Sequence, residues 1–136
     1  GIPPTSTCMN CHAQILTNAE MLAPVRNSFS SGEPIRWARV HRLPDFVHFN
    51  HSIHIAKGIG CASCHGRIDK MNLTYQHAPL TMQWCLECHR NPENHVRPKS
   101  EVFNMAYVAK DQKTLGPQLV EQYNISRMTA CSVCHY

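Results

Sequence analysis

Apolar positions along this chain recur at helical spacing only in short runs. Ile15, Leu16, Ala19 and Leu22 predict a helix over AQILTNAEMLA that stops before Pro24. Residues 24–36 carry Asn27, Ser28, Ser30, Ser31, Gly32 and Pro34 and read as a loop. WARVH (37–41) has the length of a short strand, ended by Leu43-Pro44. DFVHFN then reads as an extended approach to a short helix from about Asn50, with Gly58 as its C-cap. Gly58-Ile59-Gly60 turns the chain onward. Thr81 is placed to cap a helix on which Leu80, Trp84, Leu86 and Cys88 fall together. Asn91-Pro92 ends that helix, and 92–99 is loop. Residues 100–110 follow neither period. Gly116-Pro117 opens a further helix, proline in its first turn, with Leu119, Val120 and Tyr123 on one side and a break near 124–126. The pattern predicts a mostly α fold with long irregular loops, almost no sheet, and one domain over 1–136.

Such a chain builds a weak core. Only 7% of the 136 residues are aromatic, nine are proline, and the mean hydropathy is −0.34. A stable fold then needs apolar area from elsewhere, through disulfides, metals or large cofactors.

The cysteines indicate which. All eight fall in C-x-x-C pairs, Cys8/Cys11, Cys61/Cys64, Cys85/Cys88 and Cys131/Cys134, and each pair is followed at once by His12, His65, His89 or His135. With ten histidines in the chain, four such coincidences would arise roughly 3 times in 100,000, so the c-type haem attachment motif C-x-x-C-H is the reading that fits. Four identical two-residue loops make an odd disulfide framework. Two four-cysteine zinc ribbons leave the trailing histidines unexplained. A thioredoxin-like pair needs a βαβ context that this sequence lacks. In C-x-x-C-H the two thiols form thioethers with the haem vinyl groups and the histidine binds iron from the proximal side.

Four covalent haem c groups on 136 residues would themselves be the core, and long loops cease to argue against a compact chain. They also change the charge. The formal net charge is +4, from dispersed basic residues; roughly eight propionates against about four ferric charges bring the holoprotein near neutral, which excludes a nucleic-acid footprint. No run of 18 apolar residues is present, so nothing in this chain spans a membrane. The first residue is Gly1, with no signal-peptide core after it, as expected of a processed or trimmed product. Covalent haem attachment implies a location outside the bacterial cytoplasm.

The sixth iron ligand decides what each haem does. Six histidines lie outside the motifs: His41, His48, His51, His54, His77 and His95. His51 and His54 stand one helical turn apart beside a motif, so they can cap two different irons and hold those haems close together. His41, in a proline-ordered loop, is the next candidate. His48, His77 and His95 are weaker ones, equally suited to solvent or a propionate. Six methionines (Met9, Met21, Met71, Met82, Met105, Met128) compete, but suit gap-filling against haem faces better. Arg36, Arg39, Arg42, Arg67 and Arg90 adjoin haem elements and could read propionates. No nucleophile–base arrangement, phosphate loop or carboxylate pair points to hydrolytic or transfer chemistry, and no catalytic residue is assigned.

Phe49, His51 and His54 ahead of Cys61–His65 make F-x-H-x-x-H before C-x-x-C-H, which resembles the class III, cytochrome c3-like multihaem cytochromes c. The resemblance implies that His51 caps the haem attached just downstream and His54 another. The longer strings HRLPDFVHFNHSIH (41–54), CASCHGRID (61–69), LTMQWCLECHRNPE (80–93) and TACSVCH (129–135) are similar to the multihaem (ActA-like) subunits of bacterial alternative complex III, a membrane quinol:acceptor oxidoreductase, and to their counterparts in menaquinone reductases of the Qrc type. That family implies His41, His51 and His54 as distal ligands. It usually carries five haem motifs and an N-terminal membrane helix. Here there are four motifs and no such helix, so the chain is either trimmed, with a fifth haem upstream of Gly1, or a tetrahaem variant.

The sequence therefore predicts a multihaem cytochrome c fold wrapped around its haems. Its expected task is to relay single electrons from a quinol-oxidising membrane complex to a periplasmic or membrane-bound acceptor, a cytochrome c or an oxidase. Its expected place is the periplasmic face of the cytoplasmic membrane, among the other subunits of that complex. The chain would not be catalytic on its own. The alternatives are a stand-alone periplasmic tetrahaem carrier, a multihaem reductase with one open iron, and a zinc-stapled interaction module.

Overall fold

A computed structural model describes residues 2–136. It contains seven short α-helices among the described residues: α1 Thr5–His12, α2 Ala23–Ser31, α3 His51–Ala56, α4 Cys61–His65, α5 Met82–Arg90, α6 Gln112–Gln122 and α7 Cys131–Cys134. Four 3₁₀ turns join them, and the described residues hold no strand, only the isolated bridges Val47–His135 and Ile59–Val96. The fold is the mostly α, loop-rich class that the short apolar runs predict. No helix among the described residues is long and apolar enough to cross a membrane. The chain divides into two compact units, one up to Arg39 and the other Val40–Tyr136.

In the first unit α1 packs on α2. The helix expected over 13–23 is instead turns and a 3₁₀ turn at Glu20–Leu22, and the loop expected over 24–36 contains α2. Pro24 explains the reversal: it lies in the first turn of α2, where its missing N–H has no intrahelical partner to lose. The buried Ser28 hydroxyl donates to the Glu33 carbonyl at 2.6 Å, and Gly32 takes the left-handed φ of 76° that ends the helix. WARVH forms no strand.

In the second unit α3 starts where expected. The Asn50 side-chain oxygen accepts from the Ser52 amide at 2.8 Å and from the Ser52 hydroxyl at 2.7 Å. Gly58, at φ 79°, follows the Lys57 C-cap, and a Cβ there would also press on the Arg97 carbonyl. Thr81 caps α5 by accepting from the Trp84 amide. The last long helix begins earlier than the proline suggests. Asp111 caps α6 through the Thr114 amide, and Pro117 lies inside it. The carbonyl deprived of a partner belongs to Lys113, which is exposed and reaches water.

The protein's own core is small: Ala78, Val96, Val102 and Leu119 are its buried apolar residues. Val96 pairs with Ile59, and the Cys61 amide donates to the Val102 carbonyl at 3.1 Å, so half of that core braces the approach to α4. α6 packs on the 3₁₀ turn Pro92–Asn94 directly after α5.

Candidate haem-binding site

Each C-x-x-C-H sequence lies on or at the end of a helix: α1, α4, α5 and α7. All eight cysteines are free thiols, so no disulfide framework exists. Among the described residues no three His, Cys, Asp or Glu side chains converge as a bare metal site would need.

Cys11 and Cys131 are exposed, while the other six motif cysteines are half-buried. The reason for Cys11 is its unit's small size. α1 packs on α2, and Cys11 lies on the part of α1 left to solvent. Cys131 opens the four-residue α7, close to the end of the chain. The assignment of Cys11 as an attachment sulfur therefore rests on its place in Cys8–His12, a complete C-x-x-C-H, and not on burial.

The three motifs of the second unit crowd together. Burial raises the Cys64 thiol, and the charges of Cys85 and Cys61 raise it further. Burial also raises Cys85, with Cys134 adding to the effect. Cys88 is pushed up to about 11, by burial first and then by Cys64, Glu87 and Cys85. Burial is the first cause in all three, so these sulfurs lie against the interior of the second unit.

The imidazoles are held in one tautomer. His12 donates from Nδ1 to the Ile15 carbonyl at 3.1 Å, His54 to the Asn50 carbonyl at 2.8 Å, and His89 to the Met128 carbonyl at 2.9 Å. A carbonyl oxygen only accepts, so in all three Nδ1 carries a proton, and in the neutral form of each ring Nε2 is the nitrogen with the lone pair. That is the form an iron ligand requires. His65 differs: its Nδ1 is buried without a hydrogen-bond partner, and its pKa is lowered by burial first and then by the neighbouring His41 and His51.

Two histidine pairs share one spacing. His51 and His65 have ring centroids 6.3 Å apart with planes at 10°, and His54 and His89 stand 6.2 Å apart at 66°. Imidazoles bound on opposite sides of one metal, with metal–nitrogen bonds of about 2 Å and each centroid roughly 1.2 Å behind its nitrogen, stand about 6.4 Å apart. Both centroid separations are close to that figure. Phe49 lies against both histidines of α3, 4.8 Å from each ring centroid, and fixes their orientation.

Below His54 and His89 opens a cavity of about 690 Å³. Its wall carries Cys88 and Cys134 together with Phe49, Ile53, Ile125 and Val133. An apolar chamber with a thiol at its edge and facing imidazoles across it fits a covalently held porphyrin. Half-exposed Phe49 and Ile53 gain an apolar cover by the same fit.

The other sequence candidates are placed differently. His41 stands edge-on to His65 at 4.5 Å, too close for one iron to lie between them. The amide of His48 donates to the Cys134 carbonyl at 2.8 Å, but its ring lies on Tyr136 at 3.7 Å, while the neighbour of the His135 ring is Phe46 at 5.7 Å. His77 packs over Gly66, immediately after the second motif, and is exposed. Among the described residues neither His77 nor His95 forms a ring pair with a motif histidine. Arg67 is engaged by Asp69 through two hydrogen bonds of 2.7 and 2.8 Å. Arg36, Arg39, Arg42 and Arg90 are exposed.

Sequence reasoning passed over Arg97, whose guanidinium reaches back to Ser63 between the cysteines of the second motif. No local pattern signals it, because the contact joins positions far apart along the chain.

Residues 53–136, well over half of the chain and including three of the four motifs, match the family described as cytochrome c3. The chain belongs to the cytochrome c3 family. Membership of the cytochrome c3 family implies covalently bound c-type haem and makes this a multihaem electron-transfer protein. No curated protein matches the chain.

Proposed function

We propose that this cytochrome c3 family member binds one haem c at each of its four C-x-x-C-H motifs and relays single electrons between a quinol-oxidising membrane partner and a periplasmic or membrane-bound acceptor. The observation that carries the relay is the position of α3. Its two histidines, one turn apart, face His65 on one motif and His89 on another, across gaps that each suit one iron. A six-residue helix thereby ties two redox sites into one rigid unit.

When bound, each haem supplies a one-electron iron couple, and two histidine ligands keep that couple low-spin and low in potential. The chain's own residues do the rest. His65 and His89 are the proximal ligands of their motifs, as His12 and His135 are of theirs, and His51 and His54 are the distal ones. The carbonyls of Asn50 and Met128 hold the rings of His54 and His89 with Nε2 forward. His41, too near His65 to share its iron, is assigned to a different iron, as the family resemblance implies. His48, His77 and His95 are the reserve for the remaining sixth positions. No bond-making step is assigned to any side chain.

The quinol-oxidising partner, and with it a place on the periplasmic face of the cytoplasmic membrane, is supported by the strings around residues 41–54 and 80–93, which resemble alternative complex III subunits. Intact-mass measurement of the protein from its native host tests the cofactor count, with four added haem masses expected and fewer overturning it. Co-purification from native membranes tests the partner. The chain should travel with a quinol-oxidising activity that is lost when the chain is deleted, and unchanged quinol oxidation in the deletion strain would overturn the assignment.

A further inference from the structure

Arg97 is a part-buried cation in which every anchor is neutral. Its Nη1 donates to the Asn104 carbonyl at 3.2 Å and its Nη2 to the Ser63 hydroxyl at 3.4 Å. Tyr107 turns its ring face to the guanidinium carbon at 5.1 Å, and Nε is buried without a partner. The Arg97 amide donates to the Gly58 carbonyl at 2.9 Å, so the backbone is fixed as well. Among the described residues no carboxylate forms an ion pair with it. Glu101, one step along the network, is held by the Asn104 amide group at 2.7 Å.

Gly60 shows how close this charge lies to the second motif. A Cβ on Gly60, the residue before Cys61, would run into the guanidinium carbon and Nε of Arg97. The loop is glycine there because the guanidinium occupies the space a side chain would need. A guanidinium keeps its charge at any physiological pH, and burying one without a counter-charge is unfavourable unless something else compensates.

Resting on the reading that Cys61, Cys64 and His65 carry a haem, we propose that Arg97 is a potential-setting residue. Its fixed positive charge against the α4 loop raises the midpoint potential of that haem. Reduction adds one electron to the iron and lowers the charge of the site by one. A nearby cation repels the oxidised form more than the reduced form, and partial burial weakens the screening that would cancel it. The charge thereby offsets the lowering of potential by two imidazole ligands at this one position. Electrons would rest longer on the haem of the second motif than they would without that charge.

The test is a redox titration of the holoprotein followed by visible absorbance, with haem content measured on the same samples. In Arg97→Gln one component should move to lower potential by at least a tenfold change in its redox equilibrium constant, about 59 mV for one electron, while the others hold. Arg97→Lys, which keeps the charge, should stay near wild type. Gly60→Ala, which displaces the guanidinium without removing it, should move the same component by less. If Arg97→Gln fails to load haem, the Gly60→Ala shift decides, and its absence overturns the proposal. Unchanged components in a fully loaded Arg97→Gln protein would overturn it too. An equal fall in Arg97→Lys would overturn it by showing that packing, not charge, was lost. A wild-type protein with no haem on the Cys61–Cys64 peptide by mass spectrometry would instead remove the underlying reading.

Discussion

His54 and His89 face one another at 6.2 Å although one comes from α3 and the other from α5. Each ring is turned by a backbone carbonyl at its Nδ1, from Asn50 and Met128. His51, one turn before His54, repeats the spacing with His65 at 6.3 Å, without the carbonyl anchors: the His65 Nδ1 is buried and unpartnered. α3 therefore links two motifs that the chain presents separately.

Replacing His54 by alanine should affect one haem only. One low-spin signal in the electron paramagnetic resonance spectrum should convert to high spin. The component that titrates with the Cys85–Cys88 haem should rise in potential as it loses an imidazole. His51→Ala should do the same for the Cys61–Cys64 haem. A spectrum unchanged in either variant would remove that histidine from the ligand set.

Asn50 serves α3 twice, its side chain as cap and its carbonyl as the anchor of His54. Asn50→Ala removes the cap and leaves the carbonyl. Thermal unfolding should show a loss of about 1 kcal/mol. Because the start of the helix loosens, the two low-spin signals should broaden together. Loss of stability with both signals intact would mean that Phe49 alone orients the rings.

Gly116 in α6 packs against the carbonyl of Glu93 so closely that a methyl group would collide with backbone. Gln112, one turn earlier, donates to the same carbonyl at 2.7 Å and to that of Val96 at 2.9 Å. Gly116→Ala should therefore lower stability by about 1–3 kcal/mol through overpacking, despite the better helix propensity of alanine. Calorimetry decides, and a stabilised variant would show that α6 can shift away from the turn at Pro92–Asn94.

The Thr114 hydroxyl, and then the Thr114 amide, hold the Asp111 carboxyl below the ordinary aspartate value of 3.8. A depressed folded value means that this cap stabilises the protein fully above that ordinary value, and that its contribution fades as pH falls through the folded one. The melting temperatures of wild type and Asp111→Asn should differ by a constant amount near neutral pH and converge as pH falls below the ordinary value of 3.8. A gap that persists at the acid end would place the origin elsewhere than in the carboxylate.

The sequence by itself displayed the attachment motifs and the fold class. Four C-x-x-C-H motifs are a local covalent code, complete within five residues each, and short apolar runs among nine prolines leave little besides short helices and loops. The Thr81 cap and the start of α3 near Asn50 were legible for the same reason, since both side chains act on amides two or three residues away. Helix limits around proline were not. Pro24 and Pro117 each allow more than one register, and packing of α2 on α1 and of α6 on Pro92–Asn94 selected the one observed. Only the tertiary structure decided which histidine faces which, and that His41 is too near His65 to share an iron with it. It alone decided that Cys11 stands open to solvent while Cys64 is half-buried, and that Arg97 lies against Gly60. Those relationships depend on residues far apart along the chain. Their spacing follows from how the loops close around the buried valines, which no local pattern encodes.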